Sequence, residues 1–277
     1  VMENLARYFK KDLFVLNVPQ EESREGIRYL ADQIKDMVDF VVQHTGQPLD
    51  KERLAECIKN TNFAREIMVD VYHLAQNIPS PTDGRDLSNL GIVHPLLFGS
   101  EAAIEIAQAY REEFTKKIAG GNDGMPDERL RLMWIQNRIQ FKNPLEKLLK
   151  EEYGANIVVD ELNDITWEPI DPDDPYSGLA RRIISIPING EVRGRVAHLK
   201  AQATAYKIDG AINPCHWGCR QGTGARGLIA DGLKEIGVPV LNLEVDAVDI
   251  RNFSEGQLRT RIEAFVEMLE SRPALWK

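Results

Sequence analysis

From residue 127 onward, short and nearly continuous apolar runs alternate with stretches whose apolar residues recur every three or four positions. Leu130–Ile135 (LRLMWI), Ile157–Leu162 (IVVDEL), Ile208–Asn213 (IDGAIN) and Val238–Val245 (VPVLNLEV) have the character of strands buried on both faces of a parallel sheet. Pro144–Tyr153, Tyr176–Ser185, Glu191–Tyr206 and Thr223–Ile236 have helical spacing, and a closing helix to Leu269 opens on a capping box of Ser254 and Gln257. Strands alternating with helices predict an α/β fold with a doubly wound parallel sheet, placed here in a C-terminal domain over residues 127–277.

The first 126 residues follow a different pattern. Helices are predicted over Glu3–Lys11, Glu21–Gln43, Ser100–Ile118 and Leu49–Ile78, the last broken near Asn60–Asn62; Pro79–Leu90 is a loop and Gly120–Pro126 a linker. Asp12–Val18 (DLFVLNV) has the apolar character of a buried strand, yet no second strand is predicted near it to pair with its backbone. Residues 1–126 are therefore taken as the remnant of an N-terminal α/β domain plus a mostly helical region, with partner strands expected upstream in a longer protein.

Charge and composition narrow the function. A formal charge of −9 argues against a nucleic-acid or anionic-membrane surface, and no apolar run approaches the ~18 residues of a membrane span. Three cysteines, Cys57, Cys215 and Cys219, are too few for a disulfide scaffold, so a reduced, cytoplasmic protein is expected.

Chemistry concentrates after the third predicted strand. Asn213–Gln221 (NPCHWGCRQ) holds two cysteines four positions apart with His216 and Trp217 between them, at the strand end where open parallel sheets bind ligands. Cys215 and Cys219 are metal or cluster candidates; the alternative is that both are small buried residues, and the loop cannot close a four-ligand zinc site alone. Gly222–Gly227 matches the glycine spacing of dinucleotide-binding turns, with Glu244 about 20 residues on. In that fingerprint, however, the glycines follow the strand directly, and here Asn213–Gln221 intervenes. Glu244, Asp246 and Asp249 could act as acid and base or merely be solvated capping groups. Arg181, Arg182, Arg193 and Arg195 are candidate phosphate contacts, with a solvated helix face as the alternative.

Residues 213–269, running NPCHWGCRQGTGARG, a helix, then GVPVLNLEVDAVDIRNFSEGQLRTRIEAFVEML, resemble the C-terminal signature of the 2-hydroxyacyl-CoA dehydratase and benzoyl-CoA reductase subunit family. The similarity extends more weakly to the start of the chain, and in pattern it is most like a beta-type subunit of 2-hydroxyglutaryl-CoA dehydratase. It implies an oxygen-sensitive lyase that works as a heterodimer with a second dehydratase subunit, fed single electrons by an ATP-dependent iron–sulfur activator. The substrate would be a 2-hydroxyacyl-CoA, dehydrated to a 2-enoyl-CoA through a ketyl radical. The resemblance places the last of three cysteine ligands of a 4Fe-4S cluster at Cys219, with Cys215 not a general ligand. His216, Trp217, Arg220 and Gln221 become candidates for tuning the cluster from its surroundings. The other two cysteines would lie upstream of this chain. A benzoyl-CoA reductase-type subunit and a non-catalytic assembly subunit are the alternatives.

Overall fold

The four apolar runs of the second half form one sheet. In the computed structural model, residues 2–82, 86, 90, 96–121, 124–125, 127–273 and 275–276 are described. Along the chain come α1 (Met2–Phe9), α2 (Arg24–Thr45), α3 (Lys51–Ala75), α4 (Glu101–Gly120), β1 (Leu130–Trp134) and α5 (Leu145–Lys147), which continues into a wider turn over Leu148–Glu152. Then follow β2 (Ala155–Asp160), α6 (Pro175–Ile184), α7 (Val192–Ala205), β3 (Gly210–His216), α8 (Arg220–Glu235), β4 (Val240–Val245) and α9 (Glu255–Glu270). None of these helices is long and apolar enough to cross a membrane.

All strand pairs are parallel, in the order β2-β1-β3-β4. Side chains alternate between faces, and both faces are covered. On one, Met133, Ile135, Val158 and Ala211 pack with Leu199 and Ala203 of α7 and Ile229 and Leu233 of α8. On the other, Leu132, Trp134, Ile212 and Leu243 pack with Ile262, Phe265 and Val266 of α9. The doubly wound α/β prediction thus holds. The order places the reversal of winding between β1 and β3, where such sheets open a crevice beyond their carboxyl ends.

β3 outruns its expected end at Asn213 by three residues, one of them Pro214. The N–H groups of Ala211 and Trp217 donate toward the β4 side, whereas the Ile212 carbonyl accepts from Ile135 on the β1 side. Pro214 shares the parity of Ile212, so its hydrogen-free nitrogen faces the β1 side, past the last β1 partner at Ile212. Proline is tolerated there because no ladder bond is lost.

Two compact units divide the chain. One comprises Val1–Asn62 and Thr166–Glu191, the other Phe63–Ile165 and Val192–Lys277. The seam is not at 126/127: Ile67, Met68, Val71 and Ala75 of α3 and Ala107 and Phe114 of α4 belong to the core of the sheet unit. In the first unit, Leu30, Ala31 and Ile34 of α2 pack on Ala180 and Ile184 of α6. Ser23 caps α2 by accepting from the Gly26 N–H at 3.0 Å, and Gly46 closes it with φ +68°.

Three local expectations fail. Asp12–Val18 is not a strand. Leu16 and Val18 do pack against the α2–α6 core, but the backbone partner is a side chain: Asn17 donates to Gln33 Oε1 at 2.8 Å and its carbonyl accepts from Gln33 Nε2 at 3.0 Å. Helix α3 runs unbroken through Asn60–Asn62, because Asn62 turns its amide to the backbone of Ile170 and leaves its own helix intact. Ser254 stands at the N-cap of α9 without a side-chain bond, so the capping box does not form. The loop expected over Pro79–Leu90 and the linker over Gly120–Pro126 lie partly outside the described residues.

Candidate functional site

β3 ends in a tight turn. The Cys219 N–H donates to the His216 carbonyl at 3.1 Å across Trp217 and Gly218, and Gly218 takes φ +78° at the third position, where only glycine is unstrained. Cys219 is thereby placed at the N-cap of α8, half-buried, with its carbonyl accepting from the Thr223 N–H at 3.0 Å and hydroxyl at 2.8 Å. A helix N-terminus beside this thiol presents unpaired backbone N–H groups and a partial positive charge, which favour a bound anion.

Cys215 is in a different situation. It lies within β3, 1% exposed, with its thiol directed to Asn242 Oδ1 at 3.6 Å and the Asn213 carbonyl at 3.7 Å. Burial pushes that thiol above the usual cysteine range despite the nearby Arg226 guanidinium. Cys57 is half-buried on α3, in the first unit.

The side chains proposed around the cysteines divide similarly. His216 is buried; its Nε2 lies 2.8 Å from the Asn137 carbonyl, the geometry of an N–H donated to that oxygen, while Nδ1 is buried without a partner among the described residues. Trp217, Arg220 and Gln221 are exposed, with the Gln221 carbonyl accepting from Arg195.

Beneath the turn runs a buried polar chain that sequence reasoning missed. Arg195 of α7 forms a two-pronged ion pair with Glu161 just after β2, at 2.5 and 2.8 Å. Glu161 Oε2 also accepts from the Gln136 N–H just after β1, at 2.9 Å. The Gln136 amide in turn donates to Asn213 Oδ1 at 2.9 Å, and Asn213 donates to Asn242 Oδ1 at 2.8 Å, the atom that also meets Cys215. All four strands contribute. Gln136 adopts φ +68°, and a Cβ on Gly222 would meet its Oε1 at 1.9 Å, so α8 can start on top of this amide only because residue 222 is glycine. The signal lay in polar residues at strand ends, but nothing in the spacing pairs Arg195 with Glu161. Arg195 is therefore neither a phosphate contact nor part of a solvated face.

Other candidates are placed more simply. Gly222, Gly224 and Gly227 lie inside α8, not in a strand-to-helix turn, so the dinucleotide fingerprint is not formed. Glu244 is exposed and paired with Arg226 at 2.9 Å. Asp246 accepts from the Val248 and Asp249 N–H groups, and Asp249 binds Arg251; these bonds hold both carboxyls below the usual aspartate range. They are capping groups. Arg181 and Arg193 are exposed, and Arg182 lies 4.8 Å above the Trp167 ring. Asp160, at the end of β2 and 3.5 Å from Arg138, is raised to about 6 by burial.

A family model for the 2-hydroxyglutaryl-CoA dehydratase D-component matches residues 1–269, from the start of the chain through the Cys219 turn to α9. The chain belongs to that family. Relatives of this dehydratase family include the (R)-phenyllactyl-CoA dehydratase alpha subunit of Clostridium sporogenes, 24% identical over 98% of the chain and 67% of the relative. A benzoyl-CoA reductase subunit of Thauera aromatica is 26% identical over the same shares, and the (R)-2-hydroxyglutaryl-CoA dehydratase alpha subunit of Acidaminococcus fermentans is 22% identical over 97% of the chain and 57% of the relative. The chain thus spans about two thirds of the length of the first two and less of the third. The dehydratases among these three are represented by alpha subunits, whereas the sequence motif suggested a beta type.

Proposed function

We propose that the chain is part of a subunit of an iron–sulfur-dependent (R)-2-hydroxyacyl-CoA dehydratase, which converts a 2-hydroxyacyl-CoA to a 2-enoyl-CoA by way of a substrate ketyl radical. The observation that carries this reading is Cys219: a half-buried thiol held by a glycine turn at a helix N-terminus, at the carboxyl edge of the sheet, in a chain matched to the family almost end to end. The proposal includes a second dehydratase subunit and an ATP-dependent activator.

The described residues do not compose a complete cluster site: they hold no group of three or more His, Cys, Asp and Glu side chains placed to bind a metal. Cys219 would supply one thiolate, and the remaining ligands of a 4Fe-4S cluster would come from outside the described residues. When bound, such a cluster would supply single-electron chemistry. This chain's own contribution is to aim the Cys219 thiol and fix the turn that carries it through the Arg195–Glu161–Gln136–Asn213 chain.

The test is anaerobic purification of the full-length protein with its partner subunit and activator. Iron, sulfide and dehydration of 2-hydroxyacyl-CoAs are expected, with both cluster and turnover lost in Cys219→Ala and kept in Cys215→Ala. Iron-free, active enzyme would sink the reading. The reductase relative motivates a second reading, a benzoyl-CoA reductase-type subunit. Reduction of an aromatic thioester without dehydration would decide for it. An assembly subunit without chemistry is distinguished by loss of Cys219 leaving turnover intact.

A further inference from the structure

His216, the last residue of β3, carries hydrogen bonds at both ends. Its carbonyl accepts from the Cys219 N–H at 3.1 Å and from the Thr223 hydroxyl at 3.2 Å, so the Cys219 turn and the start of α8 are built on it. Its ring Nε2 lies 2.8 Å from the Asn137 carbonyl. That oxygen also accepts from the indole N–H of Trp134 at 3.3 Å, so one carbonyl receives two buried ring donors, from β1 and β3. The stretch that carries Asn137 is itself braced. Gln140 donates its backbone N–H to the Ala247 carbonyl beyond β4 at 2.7 Å, and Ile139 is packed into the core under α9. A bond to Asn137 therefore holds the His216 ring to a fixed point.

His216 and Asn213 differ in parity along β3, so their side chains leave opposite faces of the sheet. The Gln136–Asn213–Asn242 amides hold the end of β3 on one face, and the His216 ring holds it on the other. Of the two, His216 is joined to Cys219 directly, through the bond that closes the turn. The ring has no second use, since its Nδ1 is buried without a partner among the described residues. An apolar side chain would fill the same place without the cost of that bare acceptor. What histidine adds there is the single bond to Asn137.

We propose that His216 is a positioning residue for the Cys219 thiol: its bond to Asn137 fixes the base of the turn, and with it how far Cys219 is exposed. The inference rests on the dehydratase reading only in taking Cys219 as the working thiol. Its test reads the reactivity of that thiol and not turnover, so either can fail while the other stands.

The test is alkylation of the whole chain by iodoacetamide, with the rate at each cysteine read by tandem mass spectrometry. His216→Leu loses the Asn137 bond and keeps the bulk. Its Cys219 should react roughly threefold or more faster than in wild type, as expected when one lost hydrogen bond eases a local opening. Cys57 and Cys215 should keep their rates, because the opening is confined to the turn. His216→Gln, whose amide can donate in place of ring Nε2, should bring Cys219 back to within about twofold of wild type. Hydrogen exchange at the Cys219 amide should quicken in the leucine variant and not in the glutamine one. Circular dichroism checks folding; if the leucine variant does not fold, His216→Asn, whose shorter amide falls short of Asn137, takes its place with the same expected rates. An unchanged Cys219 rate would overturn the proposal. So would equal acceleration at all three cysteines, the mark of general destabilisation, or a glutamine variant as reactive as the leucine one.

Discussion

Asn62 and Ile170, separated by 108 residues of chain, exchange two hydrogen bonds of 2.8 Å, the amide nitrogen donating to the backbone carbonyl and the amide oxygen accepting from the backbone N–H. Gln33 grips Asn17 in the same way. Both grips lie in the unit that has no strand among its described residues, and each pairs the N–H and carbonyl of a residue outside any helix or strand with one side-chain amide.

Asn62→Ala should therefore destabilise the protein by about 1–3 kcal/mol, since it leaves the backbone donor and acceptor of buried Ile170 unpaired. Urea unfolding at neutral pH measures this. A change below ~0.5 kcal/mol would mean that water replaces the amide without loss.

The Arg195–Glu161 pair is 3% and 2% exposed at its side chains, so breaking it leaves a buried charge alone. Arg195→Met should cost about 3–5 kcal/mol, and adding Glu161→Gln should recover part of that loss. Denaturation of the single and double variants checks this; additive losses would show that the two side chains are not coupled.

Asp160 sets a pH dependence of definite sign. Its folded pKa, about 6, lies above the usual 3.8 because of burial, so between these values the folded state holds more proton than the unfolded one. Stability from this group is full below about pH 4 and is lost as pH rises through 6, a change on the order of 3 kcal/mol. Half-buried Asp246 and Asp249, with lowered values, slope the other way, so the quantity to measure is the difference between wild type and Asp160→Asn at pH 4 and pH 7. A difference that does not change with pH would refute the assignment.

The two cysteines of the motif should separate chemically. Iodoacetamide at pH 8 is expected to label half-buried Cys219 well ahead of Cys215, which is 1% exposed with a thiol raised by burial. Mass spectrometry of the peptides reads the ratio. Faster labelling of Cys215 would mean that the end of β3 opens in solution.

Much of this was legible from the residues, and the limits have physical causes. The four strands were readable because strands buried on both faces need unbroken apolar runs, and the Cys219 turn because Gly218 and the cysteine follow such a run. Asp12–Val18 misled because an apolar run does not show whether its backbone meets a strand or the Gln33 side chain, and here only alternate residues such as Leu16 and Val18 pack inward while Leu13 and Val15 are exposed. β3 was cut short because Pro214 looks like a stop, and only the ladder shows which side its nitrogen faces. Arg195 looked solvated because Arg193 two positions earlier is, and helical spacing alone does not reveal a partner 34 residues away. Among the described residues no group of three or more His, Cys, Asp and Glu side chains is placed to hold a metal ion.

Pro214 also bears on what can approach the site. Past Ile212, the side of β3 that faces β1 is a parallel edge with one of its donors deleted, so a visiting strand that tried to continue the β1 ladder would find an acceptor but no hydrogen to accept. A strand docking there would forgo one ladder bond at Pro214, so this edge of β3 disfavours backbone pairing relative to contacts from side chains or small molecules.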